Sequence, residues 1–397
     1  MKAAKNASAA AKALADKKVG WKTVKLGEVC DVNVDAYSPS EKWPYINYLD
    51  TGSVTCNHIQ EIQALDPRTD KIPSRARRKA RIGSILYSTV RPNQRHYAIL
   101  KSVPANFLVS TGFAVIDVIP SLSDSTFLYY FLTQDSVVDS LQVVAEQSVS
   151  TYPSLNPSDI MNLSIPLPPL PIQRKIAAVL GAIDDKIENN RKICANLEAQ
   201  AQALFKSWFV DFEPFGGKMP EGWKMGKLGD VAEITSGKRP PTRANEKDCE
   251  NQYPLLGASC IMGYTSEFMY EEPILVTGRV GTHGVIQRSC EKCWPSDNTL
   301  VLKSEYYEFV YQLLLKVDYS LMNRGSTQPL ITQSDLKGVA IIKPDETKLK
   351  EFEGRASTLM AMRLEKDQES RALAEMRDAL LPKLMSGEID VSEVISA

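Results

Sequence analysis

The chain has 397 residues, of which 43% are hydrophobic and 24% charged, and its net charge is −1. That length suits two or three domains with ordinary cores, the composition excludes a disordered chain, and the charge balance restricts any nucleic-acid surface to a local patch. Seven cysteines in no regular framework point to a reducing cytoplasm rather than a disulfide scaffold, and no apolar run approaches the ~18 residues of a membrane span.

Residues 1–19 are a basic, Ala-rich lead-in without the apolar stretch of a secretory signal. An isolated helix this short is marginal in water, so the lead-in is either frayed or helical. Residues 20–166 read as an α+β domain. Strands are expected at 45–49, 84–88 and 113–116, separated by turn chemistry such as Asp66-Pro67 and Arg91-Pro92-Asn93. A helix is expected over 123–144, where Phe127, Leu128, Phe131, Leu132 and Val138 recur at helical spacing.

Residues 168–212 are the most regular stretch. Prolines open it and Pro214 with Gly216-Gly217 closes it. Ile176, Leu180, Ile183, Ile187, Cys194, Leu197, Ala201, Leu204 and Trp208 alternate steps of four and three, with Asn190 in the remaining place. Such a heptad seam predicts a long helix packed against another. About 40 residues would span roughly 60 Å. Residues 219–342 repeat the α+β plan, with strands at 274–277 and 299–302 and a helix over 305–321. A second long helix is expected over 345–385, with Phe352, Ala356, Leu359, Leu373, Leu380 and Leu384 on its seam. Its middle, 363–370, is charged, which predicts looser packing or a partner surface. Pro382 should break it there or just after, with Gly387 as a stop.

The chain repeats itself. GWKTVKLGEV from Gly20 matches GWKMGKLGDV from Gly222, and STYPSLNPSDI from Ser150 resembles STQPLITQSDL from Ser326. Each copy is a globular domain followed by a long helix, a tandem duplication.

Catalytic motifs are mostly missing. There is no phosphate-binding loop, no dinucleotide fingerprint and no Asn-Pro-Pro-aromatic methyltransferase tetrapeptide. Residues 344–348 (PDETK) contain the letters of a nuclease metal site compressed into one turn, and a charged helix start explains Asp345 and Glu346 equally well. A zinc site from Cys290, Cys293, Cys249, Cys260 and His283 competes with ordinary reduced cysteines, and the spacing lacks a second matched pair.

Basic loops carry more. Residues 67–101 hold ten Lys or Arg against one acid, Asp70. The run Arg75, Arg77, Arg78, Lys79 and Arg81 suits phosphates, since each cation displaces a counterion; a solvated face is the competing reading. In the next loop Arg91, Asn93, Gln94, Arg95 and His96 make a base reader, because Arg pairs bidentately with guanine and Asn or Gln with adenine. The matching loop of the second copy offers Arg279, Thr282 and His283 amid glycines, or is an ordinary Gly-rich hairpin. Gln147-Ser148 with Ser150-Thr151-Tyr152 closes the first copy, and Arg324 with Ser326, Thr327 and Gln328 the second.

From these residues alone, a DNA reader competes with a lone nuclease or zinc enzyme and with a coiled-coil adaptor. The motifs resemble one family in particular. Leu167-Pro-Pro-Leu-Pro-Ile-Gln-Arg174, leading into Ile183-Asp184-Asp185-Lys186-Ile187 and Leu204-Phe205-x-x-Trp208-Phe209, looks like the first conserved region of the specificity subunit of Type I restriction–modification enzymes. Residues 380–389, LLPKLMSGEI, look like the end of its second, and Trp-Lys-x-x-Lys-Leu-Gly fits the start of each target-recognition domain. The resemblance implies an α+β chain with recognition domains at 20–166 and 219–342, and conserved helical regions at 167–214 and 343–397. The two long helices would pair as an antiparallel coiled coil, giving a pseudo-two-fold repeat. It implies a cytoplasmic, non-catalytic subunit that reads a bipartite, asymmetric double-stranded DNA target, with the helices setting the spacer. Two modification subunits would bring S-adenosylmethionine, and motor-nuclease restriction subunits ATP and Mg. This chain would bind no cofactor or metal and meet no membrane.

Overall fold

The computed structural model describes residues 20–148, 152–280, 284–322 and 330–391. Two compact units partition the chain: residues through Glu188 with those from Ser370 onward form the first, and Asn189–Glu369 the second. No described helix is long and apolar enough to cross a membrane.

In the first unit, β1 (Lys22–Lys25) opens the domain and β12 (Ser164–Leu167) closes it as one antiparallel ribbon. Between them lie β2 (Cys30–Val32), β3 (Ile46–Leu49), the small hairpin β4 (Val54–Thr55) and β5 (His58–Ile59), β6 (Gln63–Leu65) and β7 (Ala76–Lys79). Then come β8 (Ile85–Ser88), β9 (Tyr97–Ile99), β10 (Phe107–Ser110) and β11 (Phe113–Val118). One sheet has the order β2-β11-β8-β9, antiparallel throughout; the other is β6-β3-β10-β7, with β3 and β10 parallel. Strands expected at 45–49, 84–88 and 113–116 are β3, β8 and β11. All four residues of β8 and the first five of β11 are buried, as continuous apolar runs predict.

The helix expected over 123–144 is two, α1 (Ser125–Thr133) and α2 (Asp135–Glu146). Gln134 is the cause. Its extended backbone (φ −61°, ψ 137°) ends α1, and its carbonyl accepts the Val138 N–H that starts α2. The Asp124 carboxylate caps α1 by accepting from the N–H groups of Thr126 and Phe127. Phe127, Leu128, Tyr129, Tyr130, Phe131 and Leu132 are all buried, so α1 is wedged into the core. Each such side chain contributes about 1.5–3 kcal/mol by leaving water.

A short α3 (Pro157–Met161) precedes β12, and α4 (Leu170–Phe209) follows it. Gln173, fully buried, ties the start of α4 to the domain. Its amide donates to the carbonyls of Leu122 and Pro168 and accepts from Ser123 Oγ and Asp124 N. Ile176, Ala177 and Leu180 then join the core together with Leu381, Leu384 and Met385 near the end of the chain. Asp184 accepts from Tyr130 Oη at 2.6 Å and from Arg377 Nη1 at 2.8 Å, linking the domain to both helices.

The second unit repeats this plan. Its ribbon is β13 (Lys224–Lys227) with β21 (Ala340–Lys343). One sheet has the order β14 (Glu233–Ser236), β20 (Thr299–Lys303), β17 (Ile274–Gly278), β18 (Ile286–Ser289), matching β2-β11-β8-β9. The other has β16 (Ile261–Thr265), β15 (Tyr253–Leu256) and β19 (Trp294–Pro295), with β15 and β19 parallel as β3 and β10 are. Among the described residues it has no fourth strand equivalent to the basic β7. The helix expected over 305–321 is α5 (Tyr307–Leu314), which stops early. Asp318 Oδ1 accepts from Ser320 N and Oγ, a local turn that competes with helix. A short α6 (Gln333–Lys337) precedes β21.

The second long helix is α7 (Glu346–Met385). Asp345 caps it through Lys348 N and also accepts from Trp223 Nε1, so PDETK is here a helix start. The helix runs three residues past Pro382, which sits in the last turn, where the carbonyl it leaves unpartnered belongs to exposed Asp378. Gly387, at φ 72°, ends it.

Within the second unit the helices pair antiparallel. Asn190 Nδ2 donates to Glu369 Oε2, Cys194 Sγ to Asp367 Oδ1, and Glu198 Oε1 lies 2.6 Å from Arg363 Nε, off the N–H axis and therefore an ion pair rather than an aligned hydrogen bond. The charged middle of α7 is thus a polar seam. Asn190 is fully buried at its seam position, a device that fixes register at some cost in stability.

Glu353 of α7 accepts from the N–H groups of Glu308 (2.9 and 3.1 Å) and Phe309 (3.2 Å) at the start of α5. Burial pushes its pKa up to about 7 from the ordinary 4.5, against the pull of those donors. Since the folded value lies above the unfolded one, the folded state holds the extra proton between them. Stability from this group is fully present below pH ~4.5 and is lost as pH rises through ~7. Glu353→Gln should flatten that part of the unfolding free energy against pH in urea titrations; an unchanged slope would exclude Glu353 as its source.

Candidate nucleic-acid interface

In the first unit, the loop between β8 and β9 is held in an uncommon backbone. Arg91 and Arg95 both take left-handed conformations (φ 48° and 56°) on either side of a single 3-10 turn, Pro92–Gln94. Non-glycine residues there cost on the order of 1–3 kcal/mol, and such strain gathers at functional loops. Backbone bonds hold the loop: Arg91 N donates to Pro153 O, Val90 bridges Ser154, and Leu155 N donates to Thr89 O.

A cleft of about 780 Å³ opens beside it, lined by Asp50, Thr51, Arg75, Arg91, Gln94 and His96, with Tyr152 at its edge. The Arg91 guanidinium lies 5.0 Å from the centre of the exposed Tyr152 ring. Among the described residues neither Arg75 nor Arg91 has a carboxylate within ion-pair distance, so both charges face solvent or a ligand. His96 Nδ1 is 2.6 Å from Val54 O; it therefore carries a proton, which makes Nε2 of the neutral ring an acceptor.

The structure thus gathers Arg75, Arg91, Gln94 and His96. Others of the basic run have local partners. Arg95 pairs with Asp135 at 2.7 Å, and Lys79 with Glu41 at 3.0 Å and Asp35 at 3.5 Å. Asn93 is exposed, its N–H donating to Gln142 Oε1. Arg77 is exposed on β7, while Arg78 is half-buried with Nη1 unpartnered, and burial lowers its pKa. Arg81 reaches Asp117.

The same position in the second unit is built alike. Arg279 N donates to Asn298 O, Ile331 N to Arg279 O, and Val280 bridges Leu330, as Val90 bridges Ser154. The cleft there, about 440 Å³, is lined by Gly257, Ser259, Cys260, Val280 and Asn298, with no charged side chain among the described residues that line it. Thr282, His283, Arg324 and Gln328, with Ser150, Thr151, Ser326 and Thr327, lie outside the described residues. Cys293 is buried while Cys249, Cys260 and Cys290 are exposed, and no group of three or more His, Cys, Asp or Glu could hold a metal among the described residues. Sequence reasoning missed Asp50 and Asn298. The available signal was turn chemistry, Asp50-Thr51-Gly52-Ser53, directly after a buried strand.

A sequence profile of the Type I restriction modification DNA specificity domain matches residues 18–199 and 220–351. The chain belongs to that family. The Type I HindI specificity subunit of Haemophilus influenzae is 24% identical over 460 residues, spanning 93% of this chain and 99% of that one. The MjaIX specificity subunit of Methanocaldococcus jannaschii is 29% identical over 310 residues, 68% of this chain and 70% of that one. The solved Type I S subunit of M. genitalium shares the fold, with a TM-score of 0.59 at 16% identity over 92% of this chain and 96% of that one. As a Type I specificity chain, this protein is a DNA sequence-specificity component.

Proposed function

We propose that the chain reads a bipartite, asymmetric double-stranded DNA target without catalysing any reaction itself. Each unit would take one half of the target in the major groove, and the two helical regions would set the unspecified spacer. One observation carries this reading: the same backbone frame, a sheet loop bridged to the segment before a short helix, occurs in both units with different side chains. A repeated frame with unlike contents suits two unlike half-sites. In unit one, Arg75 and exposed Arg77 suit phosphates and so set position, while Arg91, Gln94 and His96 suit base edges. Two modification subunits would supply S-adenosylmethionine and methyl transfer, and motor-nuclease subunits ATP- and Mg-dependent cleavage. The test is reconstitution of the purified full chain with its modification subunits, followed by mapping of methylated bases on genomic DNA. A single split sequence, absent without this chain, is expected; methylation that is unsplit or independent of the chain would overturn the reading.

A further inference from the structure

The base-reading cleft of the first unit contains one group that its charge does not explain. Phosphates attract Arg75 and Arg91 and repel a carboxylate, yet Asp50 lines the same cleft and the adjoining 480 Å³ hollow that shares Arg75. It makes no ion pair with either arginine. Instead Tyr48 Oη donates to its Oδ1 at 2.8 Å, and Gly52 N to its Oδ2 at a long 3.4 Å. Burial pushes the Tyr48 phenol up to about 12, so it remains a donor.

The loop holding Asp50 is braced. Asp50 caps the 3-10 turn Thr51–Ser53. Gly112 packs so closely that a Cβ there would meet Thr51 Cγ2 at 2.9 Å, and Thr89 fixes Gly112 by donating to its carbonyl from both N and Oγ1. A carboxylate presented on a fixed turn, with one oxygen only weakly satisfied, is an acceptor-only reading group. In the second unit the loop after the equivalent strand is Gly257-Ala258-Ser259-Cys260, which has no carboxylate.

We infer that Asp50 is a specificity-determining residue that accepts a hydrogen bond from an exocyclic amino group, cytosine N4 or adenine N6, at one position of one half-site. The inference rests on the proposed reading of the cleft. In the major groove these amino groups are the donors that bases present, and an ionised acceptor is matched to them. Because only one unit has the carboxylate, its effect belongs to one half-site.

The test uses the full chain with its modification subunits and the methylated motif mapped for the wild type. Asp50→Ala and Asp50→Asn should each relax one position of one half-site by about five- to tenfold, leaving the other half unchanged. At that position, a duplex with purine in place of adenine, or pyrimidin-2-one in place of cytosine, should bind wild type about five- to tenfold more weakly. The same replacement should leave Asp50→Ala binding unchanged, since the bond is already absent. Asp50→Asn preserves the shape and the Tyr48 bond, which guards against a folding artefact. Unchanged preference everywhere, uniform weakening at every position, or additive losses from variant and base analogue would each overturn the inference. Arg91→Ala separates the two levels. If it alters target choice while the Asp50 variants do not, the cleft reading stands and the role of Asp50 falls; if neither alters it, both fall.

Discussion

Arg91→Ala should weaken binding to the mapped target duplex by about 10- to 100-fold, the loss of one good bidentate base contact at ~1–3 kcal/mol. Arg91 is exposed, stacked near Tyr152 and without a carboxylate partner among the described residues, so its guanidinium is available. Lys79→Ala should cost less than about threefold, because Glu41 and Asp35 already hold that charge. A sharper comparison is Arg91→Gly. Glycine accepts the left-handed backbone (φ 48°) without penalty, so this variant removes the reader while relaxing the loop. Fluorescence anisotropy should show the binding loss, with a melting temperature equal to or above that of wild type. A base contact should also lose discrimination at one position, whereas a phosphate contact would weaken all sequences alike and reduce the salt slope by about one. Wild-type affinity in Arg91→Gly would remove this loop from the interface.

The two long helices were legible because a heptad seam is a local pattern. Ile176, Leu180, Leu197 and Ala201 are buried as their spacing predicts. The charged middle of α7 was not legible in the same way. It looked like weak packing or a partner surface, yet Arg363 meets Glu198 and Glu369 meets Asn190. Those pairings depend on register between residues far apart in the chain, which no window along one helix can show. The basic run of 67–101 failed for a related reason. Its one local acid is Asp70, but Asp35, Glu41, Asp117 and Asp135 arrive from other strands and helices to hold Lys79, Arg81 and Arg95. Among the described residues of the run, those without a carboxylate partner are Lys71, Arg75, Arg77, Arg78 and Arg91, and of these only Arg75 and Arg91 line the cleft, which only the fold could single out. Asp50 escaped because an Asp followed by Thr-Gly-Ser reads as a turn, and it is one. Its second role depends on which cleft the turn borders.

Phe352→Ala should destabilise the second unit by about 3–5 kcal/mol, the usual cost of removing a buried aromatic ring. Phe352 is fully buried on α7 and touches the rings of Phe205, Trp208 and Phe209 from α4 and Phe309 from α5, with centroids 5.1–6.3 Å apart. Several contacts are edge-to-face, worth about 0.5–1.5 kcal/mol each beyond burial. Four rings, three from α4 and one from α5, surround this side chain and leave no flexible neighbour able to fill the space. The cavity term should therefore be near the upper end of its range. For a unit of this size the loss corresponds to a melting shift on the order of 10 °C. Leu364→Ala, on the same helix but 46% exposed, should change stability by less than about 0.5 kcal/mol. Calorimetry on both variants reads the contrast directly. The aromatic cluster joins α4, α5 and α7, and α5 packs against the sheet that carries β17 and the Arg279 loop. Phe352→Ala should therefore also erode preference at one half of the methylated sequence before the other as temperature rises. Equal melting of the two variants would show that the ring cluster does not support this unit, and with it the expected half-site effect would fail.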